Sequence, residues 1–310
     1  MKILFMGTPD FALPCLEAIY KSGNEIVSVI TQPDRPKGRG KKVMPPPVKI
    51  KAEKLGLNIM QPLNIKDRAF IDNLKKMDID CIVVVAYGQI LPKEILDMPA
   101  KGCINVHASL LPKYRGAAPI NWVIINGEKK TGITTMYMNE GLDTGDMILK
   151  EEVEIDENMT AGELHDKLAS LGAKVLIKTL NLIEKDKAPR IPQNDSESSY
   201  ASMLDKKIGL IDWEKTAYQI HNLIRGLNPW PVAYTRYKGI KFKVWKSRVI
   251  NQNSNEVCGK ILKVDKEGIY VSTKEDLLLI EEIQFPNSRK MTVDEYIRGN
   301  KIETNVILGE

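Results

Sequence analysis

Two residues whose side chains could take part in catalysis stand two positions apart in the stretch INVHASLLPKYRGAAPI at 104–120. These are Asn105 and His107, and a short apolar strand pattern leads into them. Side chains at i and i+2 of a strand point to the same face, so we expect the amide and the imidazole to lie side by side. The end of such a strand lies at the carboxyl edge of a parallel sheet, where α/β proteins bind their ligands.

A carboxylate follows in the stretch NEGLDTGDMI at 139–148. Asp143 stands between Gly141 and Gly145, and glycines allow the chain to fold tightly back. A carboxylate placed beside an imidazole would orient the ring. The alternative is an ordinary aspartate in a glycine-containing turn.

An amide, an imidazole and a carboxylate are suited to acyl transfer without a covalent enzyme intermediate. Asn105 would donate a hydrogen bond to a developing oxyanion. His107 would carry a proton between an amine nucleophile and the leaving group, and Asp143 would orient His107. Cys103 shares the strand parity of Asn105, but no neighbouring residue marks it as an activated thiol, and no G-x-S-x-G motif is present.

The first two thirds of the chain alternate strand and helix patterns, which predicts an open α/β sheet of the doubly wound type. The apolar run at 78–88 is typical of a strand buried on both faces. Residues 32–47 are rich in Pro, Gly and cations, so we expect a long irregular and mobile loop. We predict a first domain at 1–189 and a linker at 190–206.

The remaining residues, 207–310, predict a second domain of different architecture. A helix pattern is followed by short segments of period two, which indicates a small β-barrel with one helix. Along 236–248, apolar residues alternate with cations and Trp245, and a basic, aromatic outer face is typical of an oligonucleotide-binding (OB) fold.

Composition excludes several classes of protein. The chain has 310 residues, 43% of them hydrophobic and 27% charged, with a net charge of +5. An extensively disordered protein is therefore excluded, and no apolar run approaches the roughly 18 residues of a membrane span. Its four scattered cysteines favour a reducing cytoplasm and indicate neither disulfides nor zinc.

Charge is concentrated in two clusters. Residues 206–310 carry the whole net charge, RPKGRGKK at 35–42 holds five cations, and 236–248 holds six. A solvated face is the ordinary explanation for either cluster, but two clusters in one chain favour a polyanionic partner. The glycines of 35–42 form neither a G-x-G-x-x-G nor a Walker A motif, so neither a nicotinamide cofactor nor an NTPase is indicated.

Several motifs together resemble the folate-dependent formyltransferase family. The central one is N-x-H-x-SLLPKYRGAAPI combined with GLDTGDM. Four further stretches, spread over essentially the whole chain, resemble the members of the family that act on an aminoacylated initiator tRNA. They are GTPDFA at 7–12, TQPDRPKGRGKKVMPPPVK at 31–49, AYGQILP at 86–92 and NPWP at 228–231.

This resemblance implies a Rossmann-like, mostly parallel sheet domain that binds folate, followed by an OB-like β-barrel domain that helps to hold tRNA. The implied reaction transfers the formyl group of 10-formyltetrahydrofolate to the α-amine of initiator methionyl-tRNA. It implies Asn105, His107 and Asp143 as the catalytic trio. It implies Ser109, Leu110, Leu111 and Pro112 as the folate-binding segment. In AYGQILP, Tyr87, Gly88 and Ile90 are further candidates, because the glycine would let backbone groups meet a flat heterocycle such as a pterin; a simple turn is the alternative.

We expect the tRNA to bind the two basic clusters. The resemblance implies contacts from Arg39, Lys41 and Lys42, and Arg35 and Lys37 of the same basic cluster are predicted with them. Charge clustering alone adds Lys241, Lys243 and Lys246. We further expect a cytoplasmic monomer with no metal ion and no membrane contact. The open alternatives are a formyltransferase for a small amino-sugar nucleotide and a non-catalytic basic RNA-binding protein.

Overall fold

The computed structural model describes residues 1–37, 40 and 42–309. Gly38, Arg39, Lys41 and Glu310 lie outside the described residues, and so do the tRNA-binding predictions for Arg39 and Lys41.

The chain divides into two compact units, neither of which is continuous in sequence. The first comprises Met1–Gly116, Thr131–Val153 and His165–Tyr200. The second comprises Ala117–Lys130, Glu154–Leu164 and Ala201–Glu310. Two short segments that precede residue 165 therefore belong to the same unit as the chain after residue 200.

Strands and helices are numbered here in chain order over the described residues. The strands are β1 Lys2–Gly7, β2 Glu25–Ile30, β3 Arg35–Lys37, β4 Lys42–Met44, β5 Ile59–Met60, β6 Cys81–Val85, β7 Cys103–His107, β8 Arg115–Gly116, β9 Lys130–Tyr137, β10 Met147–Glu154, β11 Tyr200–Ala201, β12 Ala233–Tyr237, β13 Ile240–Ile250, β14 Ile261–Asp265, β15 Gly268–Ser272, β16 Leu277–Gln284 and β17 Met291–Thr292. The helices are α1 Leu13–Lys21, α2 Pro47–Lys54, α3 Arg68–Leu74, α4 Lys93–Leu96, α5 Pro119–Ile125, α6 Ala161–Glu184, α7 Ala217–Gly226 and α8 Val293–Ile297.

The first unit is built on a seven-stranded sheet in the order β10-β9-β7-β6-β1-β2-β5. Neighbouring strands from β7 to β5 pair in parallel, whereas β9 pairs antiparallel with β7. All five residues of β6 are buried, as its continuous apolar run predicts. The mostly parallel α/β sheet predicted from the sequence is confirmed.

Strand order reverses between β1 and β6. The chain adds β2 and β5 on one side of β1, then crosses back and adds β6, β7, β9 and β10 on the other. Ligands of open α/β sheets bind at the carboxyl ends of strands next to such a reversal. His107 ends β7, and Tyr87 follows β6 by two residues, so both lie at this edge.

The second unit contains an antiparallel sheet in the order β12-β13-β16-β15-β14, with β17 paired to β16. Helix α7 begins at a capping box, in which the Thr216 hydroxyl accepts from the Gln219 N–H and the Gln219 side chain accepts from the Thr216 N–H. Ile220 of this helix shares a buried core with Phe242 of the sheet. The second domain with strands of period two is thus confirmed as an antiparallel sheet with a helix.

The expectation of an irregular loop at 32–47 is wrong for two of its segments. Strands β3 and β4 form an antiparallel hairpin, in which Pro36 pairs with Val43. At its base the Asp34 carboxylate accepts from Lys49 Nζ at 2.8 and 2.9 Å and from Gln61 Nε2 at 2.8 Å. Charge repulsion acts mainly between side chains in water, whereas the backbone ladder does not depend on their sign. Pro and Gly content therefore misled the prediction.

Candidate active site

Strand β7 brings Asn105 and His107 to one edge of the sheet, as their spacing predicts. The imidazole is buried, and its Nε2 lies 2.9 Å from the backbone oxygen of Tyr114. Because a carbonyl oxygen can only accept, the Nε2 atom carries the proton and donates it. In neutral His107 the basic atom is therefore Nδ1.

Asp143 meets both of these side chains. Its Oδ1 accepts from Asn105 Nδ2 at 3.3 Å, and its Oδ2 lies 3.6 Å from His107 Nδ1. Oδ2 also accepts the backbone N–H of Gly116 at 2.8 Å. The structure thus brings the three predicted catalytic residues together, with the carboxylate between the amide and the imidazole.

The Asp143 loop has a specific backbone shape. Asp143 has φ of 55°, in the left-handed region that short polar side chains such as Asp tolerate best after glycine. Two residues later, a Cβ on Gly145 would collide with the backbone oxygen of Tyr137. Glycine is required at position 145 because the loop passes so close to the end of β9.

The predicted folate segment 109–112 is tied to β9. Ser109 is fully buried, and its hydroxyl donates to the Lys113 backbone oxygen at 2.7 Å. Thr134 donates to the Ser109 backbone oxygen at 2.7 Å and accepts the Leu111 N–H at 3.1 Å. Leu111 is buried in a core cluster, while Leu110 and Pro112 are half-buried. The Ser109 hydroxyl and the Leu111 side chain therefore hold the segment in place.

The second predicted folate segment follows β6. Burial raises the pKa of the Tyr87 hydroxyl to about 12, and this hydroxyl has no hydrogen-bond partner among the described residues. Gly88 has φ of 92° with open space where a Cβ would stand, and Ile90 is exposed. The segment therefore combines an unpaired polar group, an uncovered backbone and an apolar side chain.

No activated thiol accompanies the trio. Burial raises the pKa of the Cys103 thiol far above its ordinary value, and its S–H points to the backbone oxygens of Ile95 and Leu96 at 3.6 Å. A thiolate nucleophile at this position is disfavoured, because the thiolate rather than the thiol reacts.

Three of the predicted tRNA-binding cations lie on β13, in the second unit. Lys241 Nζ lies 3.3 Å from the centre of the Tyr234 ring, and Lys243 Nζ lies 5.7 Å from that of Trp245. Lys246 instead pairs with Glu281 at 3.4 Å. Burial, then the charges of Lys243, Arg236 and Lys206, lower the pKa of Lys241. The three lysines therefore have different surroundings, which their sequence pattern does not show.

Of the cations predicted for the 35–42 cluster, Arg35, Lys37 and Lys42 lie in β3 and β4. Lys37 and Lys42 end β3 and begin β4 as a backbone pair. Arg35 is exposed and donates to the Gln32 side-chain oxygen at 3.3 Å. Arg35 and Lys42 thus lie on an ordered ladder, within the first unit.

Sequence reasoning missed a polar network around the trio. Gln193 Nε2 donates to the backbone oxygens of Asp143 and Gly145, both at 2.8 Å, and Arg115 donates to the Gln193 side-chain oxygen. Gln193 stands in the segment predicted as a linker, whose Pro and Ser content gives no sign of such contacts. An isolated glutamine carries no periodic signal that could have identified it.

Within the described ranges, no group of three or more His, Cys, Asp or Glu side chains is arranged to hold a metal ion. None of the helices in those ranges is long and apolar enough to cross a bilayer.

Comparison with known proteins identifies the family of the chain. The model of the formyl transferase family matches residues 1–180, and that of the formyl transferase C-terminal domain matches residues 203–301. The chain therefore belongs to the formyl transferase family and is a formyltransferase.

Similar proteins cover the chain along its whole length. A methionyl-tRNA formyltransferase of Clostridioides difficile (strain 630) is 60% identical over 309 residues and covers 100% of both chains. A methionyl-tRNA formyltransferase of Alkaliphilus oremlandii (strain OhILAs) is 59% identical over 310 residues, again with 100% of both chains covered. The fold is also similar to that of a sugar 3N-formyl transferase crystallised with dTDP and 5-N-formyl-THF. That similarity has a TM-score of 0.69 at 22% identity and covers 93% of this chain and 99% of the other.

Proposed function

We propose that this formyltransferase transfers the formyl group of 10-formyltetrahydrofolate to the α-amino group of methionine on initiator tRNA. The observation that carries the proposal is the convergence of Asn105, His107 and Asp143 at the carboxyl edge of the sheet. The acceptor is inferred from the full-length relatives, and the folate class of donor from the sugar formyl transferase crystallised with 5-N-formyl-THF.

The reaction needs one proton transfer and no redox step. The amine nitrogen bonds to the formyl carbon, the bond from that carbon to N10 of the folate breaks, and one proton passes from the amine to N10. The chain must therefore supply a donor to the formyl oxygen and a group that takes up and releases a proton.

Asn105 is the donor that we assign to the formyl oxygen. One N–H of its amide is directed at Asp143, and an amide nitrogen carries two. The second N–H is available for an oxygen that gains negative charge during transfer. Because the contact with Asp143 fixes the amide plane, the donor is oriented before the substrates arrive.

His107 is the proton carrier that we assign. Its Nε2–H is directed at the Tyr114 oxygen, so Nδ1 receives the amine proton and returns it to the leaving nitrogen. Asp143 lies 3.6 Å from Nδ1, beyond an ordinary hydrogen bond, so its charge stabilises the imidazolium that forms without occupying the atom that takes up the proton. Asp143 thus orients the ring and faces the atom that becomes charged.

The folate assignment is supported by the segment after β6. A flat heterocycle with polar edges fits next to the buried, unpaired Tyr87 hydroxyl and the open backbone of Gly88. Ile90 and Leu142 offer exposed apolar side chains for the rest of such a ligand. Ser109 to Pro112 would contribute mainly backbone groups, because Ser109 and Leu111 are buried.

The basic clusters are assigned to the phosphates of the tRNA. We propose contacts from Arg35, Lys37 and Lys42 of the hairpin and from Lys241, Lys243 and Lys246. Arg39 and Lys41 are added on the resemblance alone. We further propose that residues 1–189 perform catalysis, that 207–310 hold tRNA, and that the enzyme works in the cytoplasm as a monomer.

A formylation assay with several acceptors tests the function. Purified enzyme with 10-formyltetrahydrofolate is given initiator methionyl-tRNA, elongator methionyl-tRNA or an amino-sugar nucleotide. We expect efficient formylation of the initiator tRNA and at most weak formylation of the other two. Efficient formylation of the sugar alone would overturn the proposed acceptor, and tRNA binding without any transfer would favour a binding protein.

Variants of the trio test the residue roles in the same assay. His107→Ala is expected to lower kcat by about 10²–10⁴-fold, the typical contribution of a general acid–base group. Asn105→Ala is also expected to lower it strongly. His165→Gln, a histidine of the same unit outside the trio, is the matched control and is expected to stay near wild type. A His107→Ala variant within threefold of wild-type turnover would exclude His107 as the proton carrier.

A further inference from the structure

Three chain segments meet around the two partners of His107. The first holds Tyr114, whose backbone oxygen accepts from the imidazole, and the second is the Asp143 loop. The third contains Gln193 and Ser199, in the segment predicted as a linker. All three belong to the first unit.

The third segment bonds to both of the others. The Ser199 hydroxyl accepts the backbone N–H of Tyr114 at 2.9 Å, and the Ser199 backbone oxygen accepts that of Arg115 at 2.9 Å. Gln193 bonds to the backbone oxygens of Asp143 and Gly145. The two groups that hold His107 are therefore positioned from the same short segment.

The amide of Gln193 is used completely and with a fixed orientation. Its nitrogen donates to two carbonyl oxygens, and its oxygen accepts from Arg115 Nε at 3.0 Å and from an Arg115 terminal nitrogen at 2.8 Å. Arginine has no acceptor and carbonyls have no donor, so the amide cannot be reversed. An amide is the side-chain group that can meet both requirements at once.

The Asp143 loop needs such support because of its backbone. Asp143 has a left-handed φ of 55°, and a residue in that region persists when its surroundings determine it. The backbone oxygens of Asp143 and of Gly145, two residues later, both accept hydrogen bonds from the same Gln193 nitrogen. Releasing them would let the carboxylate move away from Asn105 and His107.

We propose that Gln193 is a positioning residue of the formyl-transfer site, which acts by holding Asp143 in register with His107. Gln193 acts without contacting either substrate, and Arg115 orients its amide. The reaction named here rests on the proposed function. The hydrogen bonds from Gln193 to the backbone of Asp143 and Gly145, called the clamp below, do not depend on it.

Two substitutions separate positioning from simple tethering. Gln193→Glu keeps two acceptors for Arg115 but presents oxygen to the two carbonyls, whereas Gln193→Met removes both sets of bonds. If Gln193 positions Asp143, both variants lose kcat by about 10²-fold, the effect of a misplacement near 1 Å, while KM for the tRNA stays within about twofold. If Gln193 only tethers Arg115, Gln193→Glu keeps wild-type kcat, and the proposal is overturned.

Asp195→Asn is the matched control. Asp195 accepts from the same Arg115 at 2.8 Å, but its side chain is 83% exposed, and among the described residues no hydrogen bond or ion pair joins it to the Asp143 loop. We expect its kcat within twofold of wild type and thermal midpoints that agree for all variants. A loss in this control equal to that of Gln193→Glu would assign the effect to Arg115 instead and overturn the proposal.

Hydrogen exchange supplies a readout that does not depend on activity. Peptides spanning residues 137–146, and the amide of Gly116 bonded to Asp143, should exchange faster in both Gln193 variants than in wild type or Asp195→Asn. If amide exchange in both Gln193 variants matches that of wild type, the proposal is overturned, whatever the kinetic result. If both variants exchange faster but the wild-type enzyme does not formylate methionyl-tRNA, Gln193 still holds the Asp143 loop and the proposed function is refuted.

Discussion

The outer face of β13 offers a direct test of how the second unit binds nucleic acid. Lys241 and Lys243 lie over the rings of Tyr234 and Trp245, and no acidic partner for these two lysines is found among the described residues. Lys246 and Arg248 both pair with Glu281, at 3.4 and 3.6 Å. Lys241 and Lys243 together carry two positive charges, and so do Lys246 and Arg248, but the latter two share the negative charge of Glu281.

The perturbation is the removal of two charges from either pair. The double variant Lys241→Gln/Lys243→Gln loses cations that are not neutralised locally, so each loss should cost a phosphate contact. Lys246→Gln/Arg248→Gln loses cations that Glu281 already partly neutralises, and it leaves that carboxylate behind.

The magnitude follows from counterion release. Each lost phosphate contact makes the slope of log K against log salt shallower by about 0.9, so two contacts change it by about 1.8. Over a fourfold rise in salt, from about 50 to about 200 mM, wild type should lose about tenfold more affinity than the Lys241/Lys243 variant. For Lys246/Arg248 we expect less than half of that change in slope.

The assay is equilibrium binding of methionyl-tRNA at several salt concentrations, together with kcat at saturating tRNA. Saturated turnover should stay near wild type for both variants, because these lysines lie in the second unit and the trio in the first. Equal changes in slope for the two variants would refute the argument from local neutralisation. No change in either slope would show that these cations are ordinary solvated surface.

Further predictions concern the site and the core. Asp143→Asn should lower single-turnover transfer by about 10²-fold with an unchanged thermal midpoint, and normal transfer would remove Asp143 from the mechanism. Gly145→Ala should destabilise the protein by about 1–3 kcal/mol in urea denaturation, because its Cβ meets the Tyr137 oxygen. Burial lowers the pKa of His221, so the unfolded chain binds its proton more readily and stability falls as pH drops below about 6.5. In the His221→Gln variant the thermal midpoint should change less with pH between about pH 7 and about pH 5 than in wild type. An equally steep dependence would contradict this assignment.

A variant of the basic cluster at 35–42 tests positioning near the reacting groups. Replacing Arg39, Lys41 and Lys42 by Gln should lower turnover as well as affinity, since the amine must lie within about 3–3.5 Å of the formyl carbon. A loss of affinity alone would show that this cluster is only an electrostatic anchor.

Local pattern in the sequence was enough for much of the site. Strand parity predicts that Asn105 and His107 share a face, and the two glycines around Asp143 predict a loop that folds back. Both features depend on residues within a few positions of each other, where backbone geometry relates sequence directly to direction. The α/β sheet and the antiparallel domain were also predicted, because their apolar periods differ and persist over whole elements.

Only the tertiary structure decided how these residues are held. The proton of His107 is placed on Nε2 by the backbone oxygen of Tyr114, and Asp143 is held through Gln193, which lies 50 positions away in sequence. The separate surroundings of Lys241 and Lys246, and the ladder between Arg35 and Met44, also arise from pairing between strands. Contacts between distant segments depend on which strands become neighbours, and a short polar motif does not indicate which strands these are. For this protein, the sequence determines which groups can do the chemistry, whereas long-range hydrogen bonds determine their orientation.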